Sequence, residues 1–100
     1  MSAGDTVDPQ DGTNITVRYW AAARAAAGTA LDRLPAPSGP VSLADVLEQV
    51  RTLHPDVRFE SVVGVCSVLV GERPVGQRDP AEVMVGPGES VELLPPFAGG

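Results

Sequence analysis

The chain has 100 residues, 43% of them hydrophobic and 4% aromatic, which suits one domain with one small aliphatic core. Thirteen acidic residues face seven arginines and no lysine, for a net charge of -6; this excludes the basic stripe of a nucleic-acid or anionic-membrane binder and favours a basic protein partner. A single cysteine excludes an internal disulfide, and no apolar run has transmembrane or signal-peptide character, so the composition predicts a cytoplasmic protein.

Residues 1–14 are mostly Gly, Asp, Pro, Ser and Thr with little to bury, and read as a disordered tail. The alternating, β-branched run Ile15 to Trp20 predicts a strand. Six alanines around Arg24 predict a short helix over 21–27 that Gly28 stops. Thr29 to Leu34 reads as a second strand, and Pro35 to Pro40 as a loop. Ser42 then caps a longer helix, with Asp45 at N3 and a Val41–Val46 staple across the cap. Leu43, Val46, Leu47, Val50 and Leu53 form its apolar face, and Pro55 ends it at His54.

Asp56 to Gly64 reads as a connecting segment whose Phe59 and Val62 cover a core edge. Val65 to Val70 predicts a third strand, Gly71 to Pro74 a turn, and Val75 the start of a very short fourth strand. Pro80 to Gly88 reads as a loop ending in the tight turn Gly86–Glu89, which feeds a last strand, Ser90 to Leu94. One main helix on one face of a small mixed sheet is an α+β arrangement. The domain is expected over 15–94, with 95–100 an extended tail.

That tail, Pro95-Pro96-Phe97-Ala98-Gly99-Gly100, presents a free carboxylate behind two residues without a Cβ, which can enter a narrow tunnel. The Gly100 carboxylate is therefore the candidate reactive group, and Gly99 its steric permit. Strand parity points Ile15, Val17, Cys66, Val68, Val70, Val91 and Leu93 at the main helix. It leaves Trp20, Leu69 and Leu94 on the other face beside Glu92. Three large apolar side chains on an open sheet face predict a partner patch, with Trp20 the anchor; Phe97 in the tail is counted with it. Cys66 falls with the core residues and reads as a small hydrophobe. His54 is the only histidine; it suits the negative end of a helix and has no second ligand at metal spacing, so no metal site is expected. The glutamates Glu89 and Glu92 read as a solvated strand edge, and the scattered arginines as surface, with Arg18 near Trp20 able to contact a partner.

The run Val17-Arg18-Tyr19-Trp20-Ala21-Ala22-Ala23-Arg24, the Ser42-Leu43-Ala44-Asp45 helix start, the Gly88-Glu89-Ser90-Val91 turn and the ending Leu94-Pro95-Pro96-Phe97-Ala98-Gly99-Gly100 resemble the ubiquitin-like β-grasp sulfur carriers of the MoaD/ThiS family. Within it they are most similar to the small subunit of molybdopterin synthase, over about residues 15–100. The resemblance implies a carrier that binds no cofactor itself and is not catalytic alone. A ubiquitin-activating-type adenylating enzyme would use ATP and Mg²⁺ to make the Gly100 acyl-adenylate. A sulfur donor protein would then displace AMP to leave a thiocarboxylate, and a large synthase subunit would receive the tail. Carriers for thiamine or cysteine biosynthesis, a ubiquitin-like modifier joined through Gly100, and an interaction module with idle glycines are the alternatives.

Overall fold

A computed structural model describes residues 14–96. The first strand, β1 (Asn14–Tyr19), follows the expected alternation: Ile15, Val17 and Tyr19 are buried, and Thr16 and Arg18 point away. Helix α1 (Ala21–Ala27) ends where Gly28 takes the left-handed conformation, φ 77°, and its N–H reaches Arg24 O at 2.9 Å. Strand β2 (Leu31–Pro35) returns antiparallel along β1, with Asn14 opposite Pro35. The two-residue β3 (Val41–Ser42) leads into α2 (Leu43–Leu53), where Ser42 Oγ accepts the Asp45 N–H at 3.1 Å as the cap predicts. Leu43, Val46 and Val50 of α2 are fully buried and Leu47 packs on them. Leu53 departs from the expected face: it is 51% exposed, because the last turn of α2 reaches the edge of β2 rather than the core.

The segment after Pro55 is a helix and not a connector. Asp56 Oδ1 caps α3 (Val57–Val63) by accepting the Arg58 N–H at 2.8 Å. Phe59 and Val63, one turn apart, are its buried residues. Valines are weak helix formers, so burial rather than propensity holds this short helix. Strand β4 (Ser67–Val70) consequently starts later than expected. Val65 is 61% exposed, and Cys66 donates its N–H to Val63 O, in the turn that closes α3.

Gly71 and Glu72, at φ 55° and 76°, turn β4 into β5 (Arg73–Pro74), as a two-residue hairpin requires. Val75 is therefore not the start of a strand; it is a buried residue beyond β5 whose N–H reaches Val68 O. The expected loop 80–88 contains a 3₁₀ turn, Pro80–Glu82, and strand β6 (Met84–Val85), which pairs with β3 in a separate two-stranded sheet. The last strand is β7 (Ser90–Leu94).

The main sheet runs β2-β1-β7-β4-β5. Its two central strands are the first and last of the chain and lie parallel, with Val17 level with Val91; all other pairs are antiparallel. Helices α2 and α3 cover one face, and between helices and sheet lies an apolar core that includes Val17, Val46, Val50, Phe59, Val91 and Leu93. Ala23 is buried in that core and Ala26 and Ala27 pack on it, so α1 closes the core beside α3 and does not cover the opposite sheet face. No helix among the described residues is long and apolar enough to cross a membrane.

Candidate functional site

The sheet face that no helix of the described residues covers brings together the side chains that strand parity assigns to it. Register places Arg18 level with Glu92, and Glu92 level with Leu69; Leu94 sits opposite Ser67 one step closer to the tail. Trp20 lies just past β1, but its N–H still bonds Leu93 O at 3.2 Å, so the β1–β7 ladder carries it alongside Leu94. Its indole Nε1 donates to Glu92 Oε1 at 2.9 Å. Glu92 is thus tied to Trp20 rather than simply solvated, and the bond fixes which way the indole faces. Trp20 is 47% exposed, whereas Leu69, Leu94 and Glu92 are half-buried. The patch is one exposed aromatic on a half-buried apolar floor, rather than three side chains standing in water.

The patch lies at the end of the sheet where β7 runs into Pro95 and Pro96. Phe97, Gly99 and Gly100 lie outside the described residues, as does the expected disordered tail over 1–13; Asn14, counted with that tail, is the first residue of β1. One backbone feature stands beside the patch. Ala21 has φ 50°, a left-handed conformation costly for a residue with a Cβ, and it turns the chain from β1 into α1 directly after Trp20.

Other candidates have structural roles. The Cys66 thiol is half-buried and donates to Val62 O at 3.2 Å, and burial pushes its pKa up to about 11, so it carries little thiolate near neutral pH. Glu89 is not a free strand-edge carboxylate, because its Oε1 accepts the Gly86 N–H at 2.7 Å and closes the turn before β7. Among the described residues no group of three or more His, Cys, Asp and Glu side chains could hold a metal ion.

His54 does more than face a helix end. Its Nε2 lies 2.6 Å from Asp32 Oδ2, the same oxygen that accepts the Tyr19 hydroxyl at 2.7 Å. Its ring packs against Tyr19 and Phe59, with centroids 5.7 and 4.9 Å away. This brace joins β1, β2, α2 and α3. No local pattern announces it, since its members are 13 and 22 residues apart.

A mixed sheet with its first and last strands parallel at the centre, a hairpin on either side and a crossing helix on one face is the ubiquitin-like β-grasp fold. The ThiS family model matches residues 17–100. The chain belongs to the ThiS family of β-grasp sulfur carriers, which includes the MoaD-type proteins. It is 33% identical over 88 residues to the molybdopterin synthase sulfur carrier subunit of Aspergillus niger, covering 88% of this chain and 96% of that one. Its fold is similar to that of small archaeal modifier protein 1 from Methanosarcina acetivorans, at a TM-score of 0.70 and 20% identity, covering 89% of this chain and 98% of that one. It is also similar to a chain in the complex of subunits 1 and 2 of molybdopterin-converting factor from Helicobacter pylori, at a TM-score of 0.59 and 18% identity, covering 87% and 99%.

Proposed function

We propose that the chain is the sulfur carrier subunit of a molybdopterin synthase and works in the cytoplasm with Gly100 as its reactive residue. The observation that carries this reading is the 33% identity to a sulfur carrier subunit of that enzyme across 96% of the relative's length. A carboxylate is a poor acyl donor because its leaving group would be oxide. Adenylation by an activating enzyme, with ATP and Mg²⁺, replaces that leaving group by AMP and releases pyrophosphate. Sulfur delivered by a donor protein then forms the C–S bond as AMP departs. The resulting thiocarboxylate is a soft nucleophile that passes its sulfur to the pterin precursor within the large subunit.

Nothing in this reading asks the domain itself for an acid, a base or a metal. Its part is to hold the tail at a fixed depth while the face built from Trp20, Leu69, Glu92 and Leu94 docks, first on the adenylating enzyme and then on the large subunit. Phe97 would enter the partner with the tail. The Helicobacter pylori complex of subunits 1 and 2 supports two-subunit docking of this kind.

The test is the intact mass of the full chain after incubation with ATP, Mg²⁺, an adenylating enzyme and a sulfur donor. Exchange of one oxygen for one sulfur at Gly100 is expected, and so is sulfur transfer once large subunit and precursor are added. Deleting Gly100, or extending the chain by one residue, shifts the reactive atom by roughly 3.3 Å and should abolish transfer with the fold intact. High-mass amide conjugates with other proteins would instead identify a modifier. An unchanged mass with every competent activator would leave the glycines idle.

A further inference from the structure

The two edges of the main sheet differ. At one side β5 is only two residues long and ends in proline, so it offers little to a further strand. At the other, β2 runs for five residues with proline only at its last position. The bond from Tyr19 N–H to Ala30 O sets the alternation of the β1–β2 ladder. With Arg18 opposite Leu31 and Thr16 opposite Arg33, that alternation turns the N–H groups of Leu31 and Arg33 away from the sheet. The Thr29 hydroxyl, which donates to the Leu31 carbonyl, is consistent with this outward direction.

Below this edge, between β2 and α2, lies a groove of about 540 Å³. Leu34 and Pro35 line it from the strand, and the half-exposed Leu53 from the helix. Asp45 and Glu48 stand on its helix side, opposite Arg33 on the strand side. Among the described residues no arginine lies within ion-pair distance of Asp45 or Glu48, so neither carboxylate has a cation partner.

We infer that β2 and the groove beneath it receive an extended segment of a partner protein as a sixth strand, whose groove-facing side chains, every second residue, are apolar against Leu34, Pro35 and Leu53 and basic against Asp45 and Glu48. Charge selects this occupant over two others. Residues 1–13 join the strand at Asn14, which pairs with Pro35, but their sequence has three aspartates and no basic residue, so charge disfavours them at the acidic helix rim. A second copy of the chain would bring another net -6 to the same rim. The site lies on the helix side of the sheet edge, away from the Trp20–Glu92 surface, and does not depend on how Gly100 is used.

The experiment is a titration of the isotope-labelled full chain with a short blocked peptide of repeating Val-Thr-Lys-Thr, which sets valine and lysine on one face of a strand, followed by amide NMR and hydrogen exchange. The expected result is shifted and slowed amides at Leu31 and Arg33. Binding should weaken about tenfold when glutamate replaces lysine in the peptide, and similarly in the Asp45→Asn/Glu48→Gln variant, whose exposed sites keep the fold. Three results would each overturn the inference: no shifts at millimolar peptide, shifts centred on Trp20 and Glu92, or affinity indifferent to either charge change. Sedimentation showing the free chain as a dimer, with the Leu31 and Arg33 amides already slowed in exchange without peptide, would overturn it in favour of a second copy.

Discussion

Replacing Tyr19 with phenylalanine removes one oxygen from the brace and leaves the packing of the ring unchanged. Tyr19 is 2% exposed, and its hydroxyl donates to the Asp32 carboxylate at 2.7 Å. A hydrogen bond to a charged group contributes about 1.5–3 kcal/mol. Asp32 keeps His54 on the same oxygen, so the lower part of that range applies. A loss of about 1.5–2 kcal/mol should lower the melting temperature by roughly 6–16 °C in a domain of this size.

The pH dependence makes the test sharper. Burial foremost, then the Asp32 bond and charge, push the Tyr19 pKa far above the ordinary tyrosine range. In the unfolded chain the same hydroxyl ionises near its ordinary value of about 10. The folded state therefore holds its proton where the unfolded state releases it. The contribution is constant below about pH 10 and is lost as pH rises beyond it, by at most about 1.4 kcal/mol per pH unit. Tyr19→Phe lacks this loss, so the gap between the two proteins should narrow above that pH. The chain has one tyrosine, so tyrosinate absorbance reports this site alone. It should appear only on unfolding. Tyrosinate forming in the folded protein near pH 10, or a Phe variant as stable as the parent at neutral pH, would refute the reasoning.

Ala21→Gly should raise stability by about 0.5–1 kcal/mol, because it relieves a φ of 50°, whereas Gly28→Ala should cost about 1 kcal/mol at φ 77° although a Cβ there meets nothing within 4 Å; paired thermal melts read both signs. Cys66 should react with iodoacetamide at pH 8 about a hundredfold more slowly than a thiol of ordinary pKa until denaturant is added, since burial raises its pKa to about 11 from 9.0. Trp20→Ala should weaken binding to the large subunit by about 2 kcal/mol or more with little change in melting temperature. Phe59→Ala, at a fully buried position, should cost about 3–5 kcal/mol of folding stability; measuring affinity and melting on both variants separates the two roles.

Local pattern in the chain determined its class. The capped, periodic run from Ser42 specifies α2, because a cap and an apolar stripe are properties of neighbouring residues. Period-two alternation determined which side of β1 and β7 is buried, and with it the face that Trp20, Glu92, Leu69 and Leu94 share. The terminal prolines and glycines, Pro95-Pro96-Phe97-Ala98-Gly99-Gly100, carry the resemblance to the carriers. Tertiary structure alone decided the rest. Helix α3 exists because Phe59 and Val63 find a core to fill, which its valine-rich sequence does not announce. Strands β3 and β6 are two residues each, too short for periodicity, and are defined by each other across more than forty residues of chain. The Trp20–Glu92 bond, the Tyr19–Asp32–His54 brace and the groove beside β2 all join residues far apart in sequence. Their partners are chosen by sheet register and helix placement, and neither is encoded within the span of any one element.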